Sequence, residues 1–205
     1  MADQATSSVA WMSGPSQPRH VVLVGLMGSG KSTVGRRLAA RLDRRFVDAD
    51  AALVEVADRS IADIFATDGE GAFRALEADV LEELLEHHEP TVVASGGGVV
   101  LGAENRRRLG APSVTVVWLR AEPAFLASRV EGRAHRPLLQ GEEPARAVLA
   151  RLDEERAPLY AEVADITVDV EPFHVLDDAP RLALAERVAE LVVAHEAAVA
   201  AGAPS

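Results

Sequence analysis

The 205-residue chain contains no cysteine, which removes disulfides, zinc–thiolate sites and thiol nucleophiles together. That absence fits a reducing cytosol. No apolar run reaches the roughly 18 uncharged residues expected of a membrane span. Residues 1–19 lack the apolar core of a signal peptide and read as a flexible, Ser/Pro-containing extension. Packing of Trp11 and Met12 on the domain or a partner is the alternative. Cationic residues are outnumbered, with 21 Lys and Arg against 32 Asp and Glu, a formal charge of −11. This argues against a general nucleic-acid or membrane-surface binder, since both present a negative field. An acidic protein that takes an anionic ligand must focus its arginines in a cleft.

What remains is a chain with 48% hydrophobic and 26% charged residues, enough for one compact α/β domain and too little for two. The domain is expected over 20–197, with a frayed tail at 198–205. Short β-branched runs at 21–24, 46–47, 91–94, 113–119 and 166–170 read as strands. Helical patterns lie between them at 33–42, 105–109, 123–130, 145–160 and 179–201. A longer helical stretch over 51–88 breaks near Arg59-Ser60 and Asp68–Gly71. Strands alternating with helices imply a parallel sheet covered on both faces, whose site sits at the carboxyl ends of the strands. No solenoid-like repeat is present.

Gly25-Leu26-Met27-Gly28-Ser29-Gly30-Lys31-Ser32 matches the P-loop pattern in full, between a predicted strand and a predicted helix. Its glycines let successive N–H groups turn toward phosphate oxygens, and the following helix adds its positive end. Lys31 can reach the β- and γ-phosphates, and the Ser32 hydroxyl can ligate Mg²⁺. Gly28, Ser29, Gly30 and Thr33 complete the expected ATP contacts. Nucleotide binding follows from this motif, and the identity of an acceptor does not.

Other signals are weaker one by one. Asp48-x-Asp50 ends the second strand beside the P-loop, offering one carboxylate to a metal shell and one to a substrate hydroxyl; helix caps or solvated turns are the bland alternative. The strands at 91–94 and 113–119 end without an acid, so the usual second metal-binding Asp is missing and Asp48 is its best substitute. Gly96-Gly97-Gly98 permits close backbone approach and N–H donation, or is merely a connector. Arg74 and Glu77 share a helix face, which a surface ion pair also explains. Arg136-Pro137-Leu138-Leu139 lies in a punctuated stretch, 131–143, that reads as a lid, and Arg156-x-Pro158-Leu159-Tyr160 follows. Arginine's planar fork suits carboxylate or phosphate. His87, His88 and His135 have no metal-ligand spacing and are read as surface residues.

Taken in order, these motifs resemble the shikimate kinases from about residue 20 to about residue 170. The resemblance also draws on Ser60-Ile61-x-x-Ile64-Phe65 and Gly69-Glu70-x-x-Phe73-Arg74-x-x-Glu77. It implies a nucleoside-monophosphate-kinase-like P-loop fold, three layers α/β/α around a five-stranded parallel sheet, with 51–88 as the substrate-binding helical segment. It implies transfer of the γ-phosphate of ATP to the 3-hydroxyl of shikimate by a monomeric cytoplasmic enzyme that uses Mg²⁺. In that pattern Asp50 binds the substrate hydroxyls and is the candidate base, and Arg74 and Arg156 grip the substrate carboxylate. Gly97, with Gly96 and Gly98, donates from the backbone. Arg136 closes over the phosphates, Arg129 packs on adenine, and Ser32 and Asp48 attend the metal. Ser95 and Trp118 depart slightly from the pattern and touch none of these contacts. A gluconate kinase of the same architecture, or a nucleotide-binding regulatory module without catalysis, remains open at this level.

Overall fold

The computed structural model describes residues 20–130, 143–173 and 178–202. Arg136, the rest of the 131–142 stretch and the extension at 1–19 lie outside the described residues. β1 (His20–Val24) is followed by α1 (Lys31–Leu42), β2 (Arg45–Asp48), α2 (Ala49–Ala57), α3 (Ile61–Thr67) and α4 (Gly69–Glu86). Then come β3 (Thr91–Ala94), α5 (Ala103–Leu109), β4 (Val114–Arg120), α6 (Pro123–Val130), α7 (Ala145–Val163), β5 (Ile166–Asp169) and α8 (Asp178–Ala200). The five strands form one parallel sheet in the order β2-β3-β1-β4-β5.

Side-chain alternation along the strands explains the two covered faces. Val22 and Val24 join Val93, Val116 and Trp118 on one side, packed with Leu53, Ile64, Leu81, Leu149 and Tyr160. Val21 and Leu23 join Val92, Val117 and Leu119 on the other, against Leu38 of α1 and Leu184, Val188 and Val192 of α8. The central strands β1 and β3, and β4 up to Leu119, are therefore buried on both faces, whereas the edge strands β2 and β5 leave Arg45, Thr167 and Asp169 exposed.

The predicted elements recur with small shifts. The long helical stretch resolves into three helices at the expected breaks. Ser60 caps α3, its Oγ accepting from the Asp63 N–H at 3.1 Å, and Gly69 opens α4 at φ 81°. The second strand is not the immediate neighbour of the first, because β3 lies between them. Asp48 still lines one cavity with the P-loop, since β3 ends at Ala94 and is followed by the small residues Ser95 and Gly96.

Candidate active site

The motifs that fall on described residues gather beyond the carboxyl ends of the strands. Met27, Gly28, Gly30, Lys31, Ser32, Thr33, Asp48, Asp50, Ser95, Gly97 and Arg129 line one cavity. The loop after β1 turns through Gly28 at φ 87° and Gly30 at φ 97°, conformations that a side chain would strain. Gly30 then opens α1 without a side-chain cap, so first-turn N–H groups remain for an anion. Lys31 Nζ donates to the carbonyls of Gly25 at 2.7 Å and Leu26 at 3.1 Å, which stations the ammonium over its own loop. Ser29 is fully buried within that loop and does not line the cavity.

The Asp-x-Asp pair divides its work. Asp48 ends β2 and caps α2, its Oδ1 accepting from the Ala51 N–H at 3.4 Å. A long capping bond leaves the second carboxylate oxygen for other partners. Asp50 lies in the first turn of α2, where a carboxylate suits the helix dipole.

Arg74 and Glu77 of α4 form something other than a surface pair. Glu77 is 5% exposed, and its Oε2 accepts from Arg74 Nη1 at 2.7 Å. The exposed Glu70 accepts from Arg74 Nε at 3.3 Å and Nη2 at 3.0 Å through one oxygen. Burial pushes the Glu77 carboxyl above its ordinary value, with Arg74 pulling it back and Asp50 adding to the rise. Burial works against the Arg74 charge too, but Glu77 and Glu70 outweigh it and raise the guanidinium's value. The pair is favourable from the arginine's side and costly from the glutamate's, because the carboxylate is the deeper of the two.

Two glycines after β3 make room for this cluster. A Cβ at Gly96 would collide with Glu77 Oε1 and stand 3.0 Å from Asp50 Oδ1, and one at Gly98 would collide with the Arg74 guanidinium. Neither glycine has a positive φ, so space rather than backbone conformation demands them. Gly98→Ala is therefore expected to push Arg74 aside. On the expectation that Arg74 grips the acceptor carboxylate, acceptor KM should rise roughly ten-fold or more, the worth of one charge-assisted hydrogen bond, with ATP KM within about two-fold. Steady-state kinetics check this, and an unchanged acceptor KM would count against the need for glycine at 98 to seat Arg74.

Arg156 of α7, 3% exposed, donates from Nη1 to the Gly97 carbonyl at 3.2 Å. Neither it nor Arg74 lines the cavity itself; both stand behind the glycine turn. Arg129 of α6 donates from Nε to the Gly28 carbonyl at 2.8 Å, with its guanidinium carbon 5.6 Å from the Phe125 ring centroid. Sequence reasoning missed the burial of Glu77, the cavity positions of Met27 and Ser95, and the hydroxyl of Tyr160 reaching Gly97. Ser95 Oγ donates to Leu23 O at 2.8 Å, tying β3 to β1 at the mouth of the P-loop. The apolar spacing of α4, with Phe73, Val80, Leu81 and Leu84 inward, is the signal that places Glu77 on the buried face.

The family model described as shikimate kinase matches residues 27–190. A shikimate kinase of Nitrobacter winogradskyi is 50% identical over 167 residues, 82% of this chain and 74% of that protein. A solved shikimate kinase from Acinetobacter baumannii, in complex with shikimate, superposes with a TM-score of 0.78 at 37% identity, covering 86% of this chain and 94% of that one. A gluconokinase from Sinorhizobium meliloti reaches only 0.52 at 22% identity, a likeness of fold alone. With the ordered motifs assembled on one rim of the sheet and the match running through all the described site residues from Met27 to Arg156, the chain belongs to the shikimate kinase family.

Proposed function

We propose that the cavity transfers the γ-phosphate of ATP to the 3-hydroxyl of shikimate, with Gly28, Gly30, Lys31, Ser32 and Thr33 holding the phosphates and the buried Ser29 shaping the loop beneath them. The observation that carries this is the convergence of a P-loop cation, Lys31, and an acidic residue, Asp50, on one cavity backed by two arginines. In this reading α2 to α4 carry the acceptor. Arg74 and Arg156 take its carboxylate, Asp50 its hydroxyls, and the Gly96–Gly98 turn supplies backbone donors. Arg129 lies against adenine. Arg136 and the lid at 131–143 complete the site on the grounds of sequence, as do a monomeric state and a cytoplasmic setting.

Mg²⁺ fits the donors present. Ser32 and Asp48 bring a hydroxyl and a carboxylate to the cavity, and this cation takes few protein oxygens alongside phosphate and water. When bound there it would supply positive charge that offsets the charge developing on the transferring phosphoryl group. The protein's own contribution is positional. Asp50 orients the acceptor hydroxyl and accepts its proton as the new O–P bond forms and the bond to the ADP oxygen breaks. Lys31 meets the charge that spreads over the transferring group.

Product analysis tests the reading. Incubation with ATP, Mg²⁺ and shikimate should give a phosphoester whose proton-coupled phosphorus resonance splits on the 3-position proton. No phosphoester, or one at another hydroxyl, would contradict it.

Arg74 should show two separable effects. Arg74→Ala raises acceptor KM and also strands a buried carboxylate, at a cost of about 3 kcal/mol. Adding Glu77→Gln should restore thermal stability and leave KM high. The deficit of the single variant depends on pH. A carboxyl whose folded value is raised contributes stability that is present below its ordinary 4.5 and lost as pH climbs through the raised value. Loss of Arg74 raises that value further, so the deficit is small in acid and grows toward neutrality. A pH-independent deficit would count against an ionised Glu77.

A further inference from the structure

Tyr160 has no role in the mechanism above, yet it is the largest fully buried side chain of the core, and its polar end reaches the acceptor turn. Its hydroxyl donates to the Gly97 carbonyl at 2.5 Å, and Arg156 donates to the same oxygen at 3.2 Å. The ring lies beside Trp118 of β4, centroids 5.7 Å apart, so packing of α7 on the sheet sets where the hydroxyl stands. Burial pushes the phenol well above its ordinary value, with Arg156 opposing. The hydroxyl therefore keeps its proton and remains a donor.

The oxygen it holds belongs to an adjustable peptide. The Val99 N–H donates to Gly96 O at 3.3 Å, closing a four-residue turn. Gly98, third in that turn, has φ −101° and ψ 1°, the type I geometry. Rotating the central Gly97–Gly98 peptide gives a type II turn, which needs a positive φ at the third position, and glycine adopts it without steric cost. The local sequence thus leaves both orientations accessible. Carbonyl and N–H point opposite ways in a trans peptide, so a flip exchanges them. Among the described residues the Gly98 N–H has no backbone acceptor, and in the observed turn it points away from α7.

We infer that Tyr160 is a positioning residue that locks the Gly97–Gly98 peptide in its type I orientation, so that a backbone donor, and not a carbonyl, is presented to the anionic acceptor. The inference rests on reading this turn as an acceptor contact. A flipped Gly97 carbonyl would set a partial negative charge against a carboxylate or hydroxyl oxygen, and would leave Tyr160 and Arg156 without their shared acceptor.

Tyr160→Phe retains the ring and its contact with Trp118. Shikimate KM should rise roughly five- to twenty-fold while ATP KM stays within about two-fold. In ¹⁵N-glycine-labelled protein without ligand, the Gly98 amide should shift and acquire millisecond exchange in the variant only. An unmoved Gly98 resonance with unchanged KM would overturn the lock, as would equal weakening toward both substrates. Should the variant not fold, relaxation dispersion on the unmodified enzyme decides. A quiet Gly98 amide supports the lock, and millisecond exchange there overturns it. If the unmodified enzyme ignores shikimate, the proposed acceptor fails, and the ligand-free amide measurement still judges Tyr160.

Discussion

Lys31→Ala is expected to lower kcat roughly 10²- to 10³-fold, the scale seen when one preorganised stabiliser of transition-state charge is removed. Lys31 is the only lysine in the chain. Its ammonium already sits over the loop, held by the Gly25 and Leu26 carbonyls at 2.7 and 3.1 Å. Those carbonyls are weak competitors for a triphosphate, so the cation is stored where it will be used and needs little reorganisation. The Gly28–Gly30 backbone and the α1 N-terminus are unchanged in the variant and should still offer N–H groups to phosphate, so ATP affinity should fall less than turnover. Because no other lysine interferes, ¹³C-dimethylation gives one lysine side-chain signal, which ATP should shift. A kcat within about five-fold of the parent would remove Lys31 from the transition state.

Asp50→Asn should abolish transfer, a loss of roughly 10²- to 10⁴-fold in kcat, with the fold intact. Asn keeps the shape of the side chain and one acceptor oxygen, but not the charge or the capacity to take a proton at working pH. Asp50 is exposed in the first turn of α2, so no core contact is lost. Its charge adds to the strain on buried Glu77, and the variant should melt no lower than the parent. The measurement is kcat at saturating ATP and acceptor beside a thermal melt. Near-normal kcat would exclude Asp50, and a collapsed melt would make its role structural.

Much of this is legible in the sequence alone. The P-loop reads from spacing because phosphate must meet several N–H groups at once, and only a glycine-rich strand-to-helix turn supplies them. The central strands read from short β-branched runs, since burial on both faces leaves them no polar alternation. Asp50 and the arginines take on meaning only through their order along the chain, which carries the family resemblance. Glu77 was opaque for a different reason. A charged residue on a helix is usually solvated, and its burial depends on α4 turning its apolar face, Glu77 included, toward the sheet. The need for glycine at 96 and 98 was hidden as well. Sequence suggests backbone freedom, whereas the demand comes from Glu77, Asp50 and Arg74 arriving from other elements. Tyr160 stands at the end of a motif read for its arginine, and its hydroxyl's partner lies 63 residues away.

The most direct test of the central claim is acceptor-dependent ADP release. Enzyme with ATP and Mg²⁺ should turn over slowly alone, and shikimate should raise ADP release by roughly 100-fold or more, as expected when positioning of the acceptor supplies most of the catalysis. Gluconate at the same concentration should leave the basal rate unchanged. Release stimulated by gluconate and not by shikimate, or ATP binding with no acceptor-dependent release, would contradict the account.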